Sequence, residues 1–264
     1  MDGILLIDKP KGKTSHDVVA EVRRERGERR AGHAGTLDPA ATGLLIVALG
    51  KGLKLLEFMQ YDKTYEFEAE IGVLTETDDA EGARIGERPV PSRAELESAA
   101  AALAGEIVQK PPRYSAVKVA GKRLYEYARA GKEVDLPGRR ITVHELAILS
   151  WRPPRARFRL RGSKGIYVRS IARDLGGHVV ELRRTACGPF RVEDAGPELL
   201  PIDAAVRHLP EARLSADEAR RFENGRAVPW EAAPGPARVY GGTRFLGIGE
   251  VEGKILKPRK VIGP

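Results

Sequence analysis

Residues 32–45 read Gly32-His33-Ala34-Gly35-Thr36-Leu37-Asp38-Pro39-Ala40-Ala41-Thr42-Gly43-Leu44-Leu45. They set one carboxylate, Asp38, in a glycine-rich loop that runs into the apolar residues 43–50. That run reads as a buried strand bounded by glycines. Gly32, Gly35 and Gly43 permit backbone angles and close approaches that a Cβ forbids. An acid on a tight loop against a core strand is held in place, which suits a nucleophile or a general base. Asp-Pro is also a common turn or helix start, so simple capping is the competing reading of these residues.

On the N-terminal side, residues 1–9 read as a first strand. No basic leader precedes its apolar residues, so no signal peptide is expected. Thr14 and Asp17 form a capping-box pattern ahead of a helix with Val18, Val19 and Val22 on its apolar face. On the C-terminal side, residues 63–72 alternate, placing Tyr65, Phe67, Ala69 and Ile71 on one face of a half-buried strand. Residues 75–88 are acidic and glycine-containing and read as a loop. Ser92 with Glu95 opens an alanine-rich helix. In residues 155–161, Phe158 and Leu160 face inward while Arg155, Arg157, Arg159 and Arg161 share the opposite face. Like charges on one sheet face repel, so this stripe reads either as a polyanion site or as a charge-blunted edge. Residues 163–176 begin a helix near Tyr167, with Arg169 and Arg173 one turn apart on its polar side. The helix dipole disfavours a cation near its start, so Arg169 should have a carboxylate partner.

The chain has 264 residues, enough for one large domain and a small second one. No apolar run approaches a membrane span. The single cysteine, Cys187, excludes an internal disulfide and a cysteine-cluster zinc site, and the five histidines lack ligand spacing. No metal or cofactor is therefore expected, and no membrane. Lys plus Arg number 45 against 37 Asp plus Glu, a net charge of +8. The excess is local: residues 138–191 hold thirteen Lys or Arg against three acids. Such a field suits a phosphate backbone, with a merely solubilising surface as the alternative.

The loop around Asp38 resembles the catalytic motif of bacterial tRNA pseudouridine synthases of the TruB type, which isomerise uridine 55 in the T arm. The pattern G-H-x-G-x-L-D-P-x-A-T-G-x-L is filled throughout, and a match of this length is specific. A second signature, S-K-G-x-Y-x-R, falls on residues 163–169. The resemblance implies that Asp38 is the essential catalytic residue, paired with Arg169, and that Tyr65 is a catalytic-site tyrosine that packs against the target base and helps remove the C5 proton. It places His33, Tyr167, Lys9 and Leu182 at substrate-binding positions, with Pro10 beside them. Core packing is the plainer reading of Tyr65, and structural support that of Tyr167, Lys9 and Pro10. Residues 111–140 resemble the family's thumb, an RNA-closing insertion whose Lys118 and Arg123 would meet the substrate.

The fold so implied is α+β. A catalytic domain over residues 1–209, of the pseudouridine synthase type with a large mixed sheet, carries the thumb-like insertion. A small β-rich PUA-like RNA-binding domain follows over residues 210–264. The implied partner is the tRNA T-arm stem-loop, met by a cytoplasmic, cofactor-free, metal-free monomer. Alternatives on the same residues are a non-catalytic tRNA-binding or chaperone protein, a guide-RNA-dependent pseudouridine synthase, and a glycosylase that releases the base.

Overall fold

The computed structural model describes residues 1–59, 61–114, 118–119, 122–123 and 138–263. A ten-stranded mixed sheet organises the first part of the chain. Its strands in chain order are β1 (Gly3–Lys9), β2 (Ala31–His33), β3 (Thr42–Leu49), β4 (Lys63–Ile71), β5 (Gly105–Gln109) and β6 (Arg139–Arg152). They continue as β7 (Arg155–Gly162), β8 (Gly177–Cys187), β9 (Phe190–Arg191) and β10 (Leu199–Leu200). The spatial order is β10-β1-β3-β8-β4-β7-β6-β5, with β9 beside β8 and β2 beside β3.

Sequence pattern dictates which strands are central. In β3 every residue after Thr42 is buried, as expected for a strand covered on both faces. In β4 and β7 burial alternates, so Phe67 and Phe158 meet on the core face with ring centroids 4.9 Å apart. Helix α1 (Ser15–Arg26) starts at the Thr14 capping box and buries Val18, Val19 and Val22 against β1, β2 and β3. Helix α2 (Arg93–Ala102) starts at the Ser92–Glu95 box. Helix α3 (Val168–Asp174) follows Tyr167 and buries Ile171 and Ala172.

The two halves of the sheet join where β3 and β8 run parallel for two residue pairs, Arg183 with Thr42 and Arg184 with Gly43. Gly43 makes this contact possible. Its φ is +101°, and a Cβ there would stand 2.2 Å from the Arg184 carbonyl oxygen. The join brings the Asp38 loop against Leu182 and Arg184.

Two readings of the sequence change. Residues 75–88 are not all loop: Val73–Thr75 and Arg84–Glu87 pair as a short hairpin. Three of the four arginines on the outer face of β7 meet counter-charges inside the sheet. Arg155 pairs with Glu68 at 3.0 Å, Arg157 with Glu66 at 3.3 Å and Arg159 with Glu145 at 2.8 Å. Glu66 and Glu68 alternate on β4 with Tyr65 and Phe67, so the same period-two pattern supplies both signs there, while Glu145 comes from β6.

The end of the chain forms a small β-rich domain, a five-stranded sheet with helix Ala216–Glu223 packed on it through Ala219 and Phe222. It sits against the large sheet through Ile248 and Ile262, and the Tyr240 hydroxyl donates to Asp203 at 2.7 Å. Of the thumb-like stretch, Lys118–Val119 and Lys122–Arg123 pair as two short strands. The side chains of Lys118 and Arg123, and most of residues 111–140, lie outside the described residues.

Candidate active site

Asp38 sits on the loop between β2 and β3, and the neighbouring chain pins that loop. The buried Ser15 hydroxyl, at the start of α1, donates to the Leu37 carbonyl at 3.1 Å and accepts from the Leu37 N–H at 2.9 Å. The Gly12 N–H donates to the Pro39 carbonyl at 2.8 Å. Lys9 is fully buried, and its ammonium donates to the carbonyls of Pro10, Lys13 and Pro39. The Lys9 ammonium is therefore engaged in holding the loop rather than in lining the cavity beside Asp38. Burial pushes Lys9 below the ordinary lysine range, with the Asp38 charge acting the other way.

Arg169, in the first turn of α3, points into this loop. Its Nε lies 3.0 Å from Asp38 Oδ2. Nη1 lies 3.5 Å from Asp79 Oδ2 and donates to the Thr77 carbonyl at 3.0 Å; Nη2 donates to the Tyr114 carbonyl at 2.9 Å. The guanidinium is thus satisfied on every edge, as a side chain only 8% exposed requires. Asp38 keeps 42% of its side chain open, so the pair is buried on the cation's side and accessible on the acid's. One turn on, Arg173 pairs with Asp78 at 2.9 Å. Burial raises the Asp78 carboxyl above its usual range, with Arg173 opposing.

A cavity of about 290 Å³ opens beside Asp38, lined by Tyr65, Tyr167, Arg169 and Leu182 together with Lys63, Lys164 and Arg184. Tyr65 lies on the core face of β4, and burial pushes its phenol up despite the Arg184 guanidinium nearby. A phenol held neutral suits a stacking platform better than a proton acceptor. Tyr167 is fixed at both backbone ends by Gln109, which accepts from its N–H at 2.8 Å and donates to its carbonyl at 3.1 Å. Leu182 walls this cavity and a second one of about 180 Å³ on the other side of the Asp38–Arg169 pair.

His33 is set apart from that lining. It lies on β2 with its ring edge-on to His16, centroids 5.6 Å apart. Burial lowers its pKa, and its Nδ1 is buried with no hydrogen-bond partner among the described residues. Sequence reading missed Asp79, Lys63 and Arg184. The signal for Asp79 was present, since the adjacent acids Asp78 and Asp79 face two arginines spaced one turn apart.

The family model described as "TruB family pseudouridylate synthase (N terminal domain)" matches residues 23–168, over half of the chain. The chain belongs to the TruB family. A second model, "Pseudouridine synthase II TruB, C-terminal", matches residues 210–262. A relative from Aromatoleum aromaticum named tRNA pseudouridine synthase B is 44% identical, covering 99% of this chain and 93% of the relative. One of the same name from Geobacillus kaustophilus is 46% identical over 85% of this chain and 90% of the relative. A chain from the crystal structure of a Cbf5-Nop10-Gar1 complex superposes with a TM-score of 0.75 at 24% identity, covering 99% of this chain and 85% of that one. That likeness concerns the fold. Pseudouridylate synthases are isomerases, and this TruB-family chain is one. No helix of the described residues is long and apolar enough to cross a membrane, and they contain no cluster of metal-binding side chains.

Proposed function

We propose that the chain isomerises uridine to pseudouridine at position 55 in the T-loop of tRNA, with Asp38 as the essential carboxylate. The observation that carries this reading is the 3.0 Å Asp38–Arg169 pair at the edge of a cavity floored by Tyr65. The relatives' name points to tRNA as the substrate.

The target base must first leave the RNA stack, at about a few kcal/mol. Tyr65 returns about 1–3 kcal/mol by stacking on it, with Tyr167 and Leu182 closing the sides. Arg169 pairs with Asp38 and fixes the direction of its open oxygen. The N1–C1′ bond then breaks, the uracil turns, and C5 takes the place of N1 on the ribose. A proton leaves C5 and one arrives at N1, so the reaction is mass-neutral and needs no external electron source. Lys9 holds the loop from behind in this scheme, and His33 stacks beside the extruded base or fills the space it vacates. Lys118 and Arg123 belong to the thumb over residues 111–140, which would close on the stem-loop. The small domain over residues 210–264 would add RNA contacts. The enzyme would act as a cytoplasmic monomer.

The test is a pseudouridine assay on unmodified tRNA with wild type, Asp38→Asn and Arg169→Ala. Wild type should convert the T-loop uridine with no change in RNA mass, and Asp38→Asn should abolish conversion while retaining RNA binding. Conversion at the wild-type rate by Asp38→Asn would refute the assignment. Release of free uracil would identify a glycosylase instead.

A further inference from the structure

Lys63 opens β4 two residues before Tyr65, so period-two alternation puts both side chains on the same face. Both line the cavity beside Asp38, as do Lys164 and Arg184. The heads of Lys63 and Arg184 converge on Gly35, which has φ +101°. A methyl group there would meet Lys63 Nζ and Arg184 Nη1 at 3.8 Å each.

Among the described residues, the Lys63 ammonium has no hydrogen-bond or ion-pair partner, and this sets it apart. Arg169 has two carboxylates, Arg173 has Asp78, and Arg183 has Asp8 at 2.6 Å. Arg184 donates to the carbonyls of Leu44 and Gly35. Asp62, beside Lys63 in sequence, is held by His144 of β6 at 3.0 Å. Cys187, opposite Lys63 on β8, is a buried thiol pushed up by burial and so supplies no anion. Burial lowers the Lys63 pKa, Arg184 and Lys164 push the same way, and Cys187 and Asp62 oppose them. A half-buried ammonium between two other cations is costly unless an anion arrives.

Uridine brings two kinds of negative charge. The phosphates hang from the ribose and stay with it at the mouth, where Asp38 is open and Lys164 is exposed. The second charge forms during the reaction: when N1–C1′ breaks, its electron pair stays on the uracil and spreads over N1, O2 and O4. A base stacked on Tyr65 would lie in the cavity that Lys63 also lines, on the same face of the strand. We infer that Lys63 is a further catalytic residue, donating an N–H to a uracil carbonyl and stabilising the anion that leaves the ribose. Lys63 keeps its proton throughout; the electron pair returns to bonding when C5 attacks C1′. The inference rests on the isomerase reading above and assigns one charge within it. Such a contact strengthens as charge develops, so it acts on the rate rather than on binding.

The experiment uses the full chain and an unmodified T-arm stem-loop RNA, with Lys63→Met and Lys63→Arg. At saturating RNA, Lys63→Met should lower the single-turnover rate about 10²–10³-fold, the cost of one lost donor to a developing oxyanion. The RNA Kd and its salt slope should stay at wild-type values, and Lys63→Arg should recover most of the rate. The wild-type rate should also fall at alkaline pH as Lys63 loses its proton, and Lys63→Arg should push that fall upward. Two results overturn the inference. One is weaker RNA binding with a shallower salt slope at an unchanged rate, which marks a phosphate contact. The other is a wild-type rate in Lys63→Met. If Lys63→Met fails to fold, the alkaline limb of Lys63→Arg decides, and an unmoved limb overturns it. An inactive wild type would instead refute the isomerase reading itself.

Discussion

The outer face of β7 and the cavity beside Asp38 are both rich in cations, and they use them in opposite ways. On β7, Arg155, Arg157 and Arg159 each have a glutamate from β4 or β6 within 3.3 Å. In the cavity, Lys63 and Lys164 have no such partner among the described residues, although Glu66 and Glu68 lie a few residues along the same strand. Local arginine density is therefore a poor guide to the proposed site. Unbalanced charge in a concave, aromatic-floored site is the better guide, because only there does an arriving anion replace a missing partner.

The sharpest way to break this contrast is to strip a paired cation from the site itself. Arg169→Ala leaves Asp38 and Asp79 without their shared guanidinium; because Asp38 is 42% exposed and stays solvated, the cost falls below the ~3–5 kcal/mol of a fully buried pair. Thermal unfolding should show that loss, and pseudouridine formation should drop about 10²-fold or more, in proportion to the lost positioning of Asp38. An Arg169→Ala enzyme of full activity would leave the 3.0 Å contact without a role.

Asp79→Asn tests the next layer. It removes the charge behind Arg169 but keeps a side chain that can accept a hydrogen bond from Thr77. The rate at saturating RNA should fall about 10-fold, equivalent to about 1.4 kcal/mol, with RNA binding unchanged. A change confined to binding would place Asp79 in an RNA contact instead.

The β7 side of the contrast should respond weakly. Arg157 is 57% exposed and Glu66 38%, so solvent screens the pair. Arg157→Ala should shift stability by about 1 kcal/mol or less in urea titrations and leave the Kd for stem-loop RNA unaltered. A large loss of affinity would restore the arginine stripe as an RNA surface.

A comparably small effect, outside the site altogether, concerns Tyr61, whose hydroxyl donates to the Ala205 carbonyl at 2.9 Å. Burial pushes this phenol up to about 12. An unfolded tyrosine titrates near 10, so between about 10 and 12 the unfolded chain releases a proton that the folded chain keeps. Stability therefore declines as pH rises through that window. Tyr61→Phe should lose about 1 kcal/mol at neutral pH and show a flatter alkaline decline.

Much of this was legible in one dimension. Thr14 with Asp17 and Ser92 with Glu95 each form the reciprocal cap that their spacing implies. Capping is a contact over three residues, so the sequence contains both partners. The alternation in β4 and β7 likewise identified Tyr65, Phe67, Phe158 and Leu160 as core-facing. The expectation that Arg169 needs a carboxylate followed from its place at a helix start. The reading of residues 75–88 as loop failed because the hairpin strands are three and four residues long, too short to show a period. The arginine stripe was open to misreading because the counter-charges of Arg155 and Arg157 lie 87 and 91 residues away on β4.

The sequence by itself determined the local elements, the Asp38 loop with its motif, and the family to which the chain belongs. Each rests on residues that are neighbours along the chain or repeat at a fixed period. Tertiary structure alone decided which charges are neutralised. Asp79 reaches Arg169, and Arg155 and Arg157 reach Glu68 and Glu66, across distant stretches of chain, while Lys63 faces the cavity without a counter-ion among the described residues. The reason is physical: an ion pair or an orphaned cation is a property of distance and solvent exclusion, and both are fixed only when the strands take their order in the sheet.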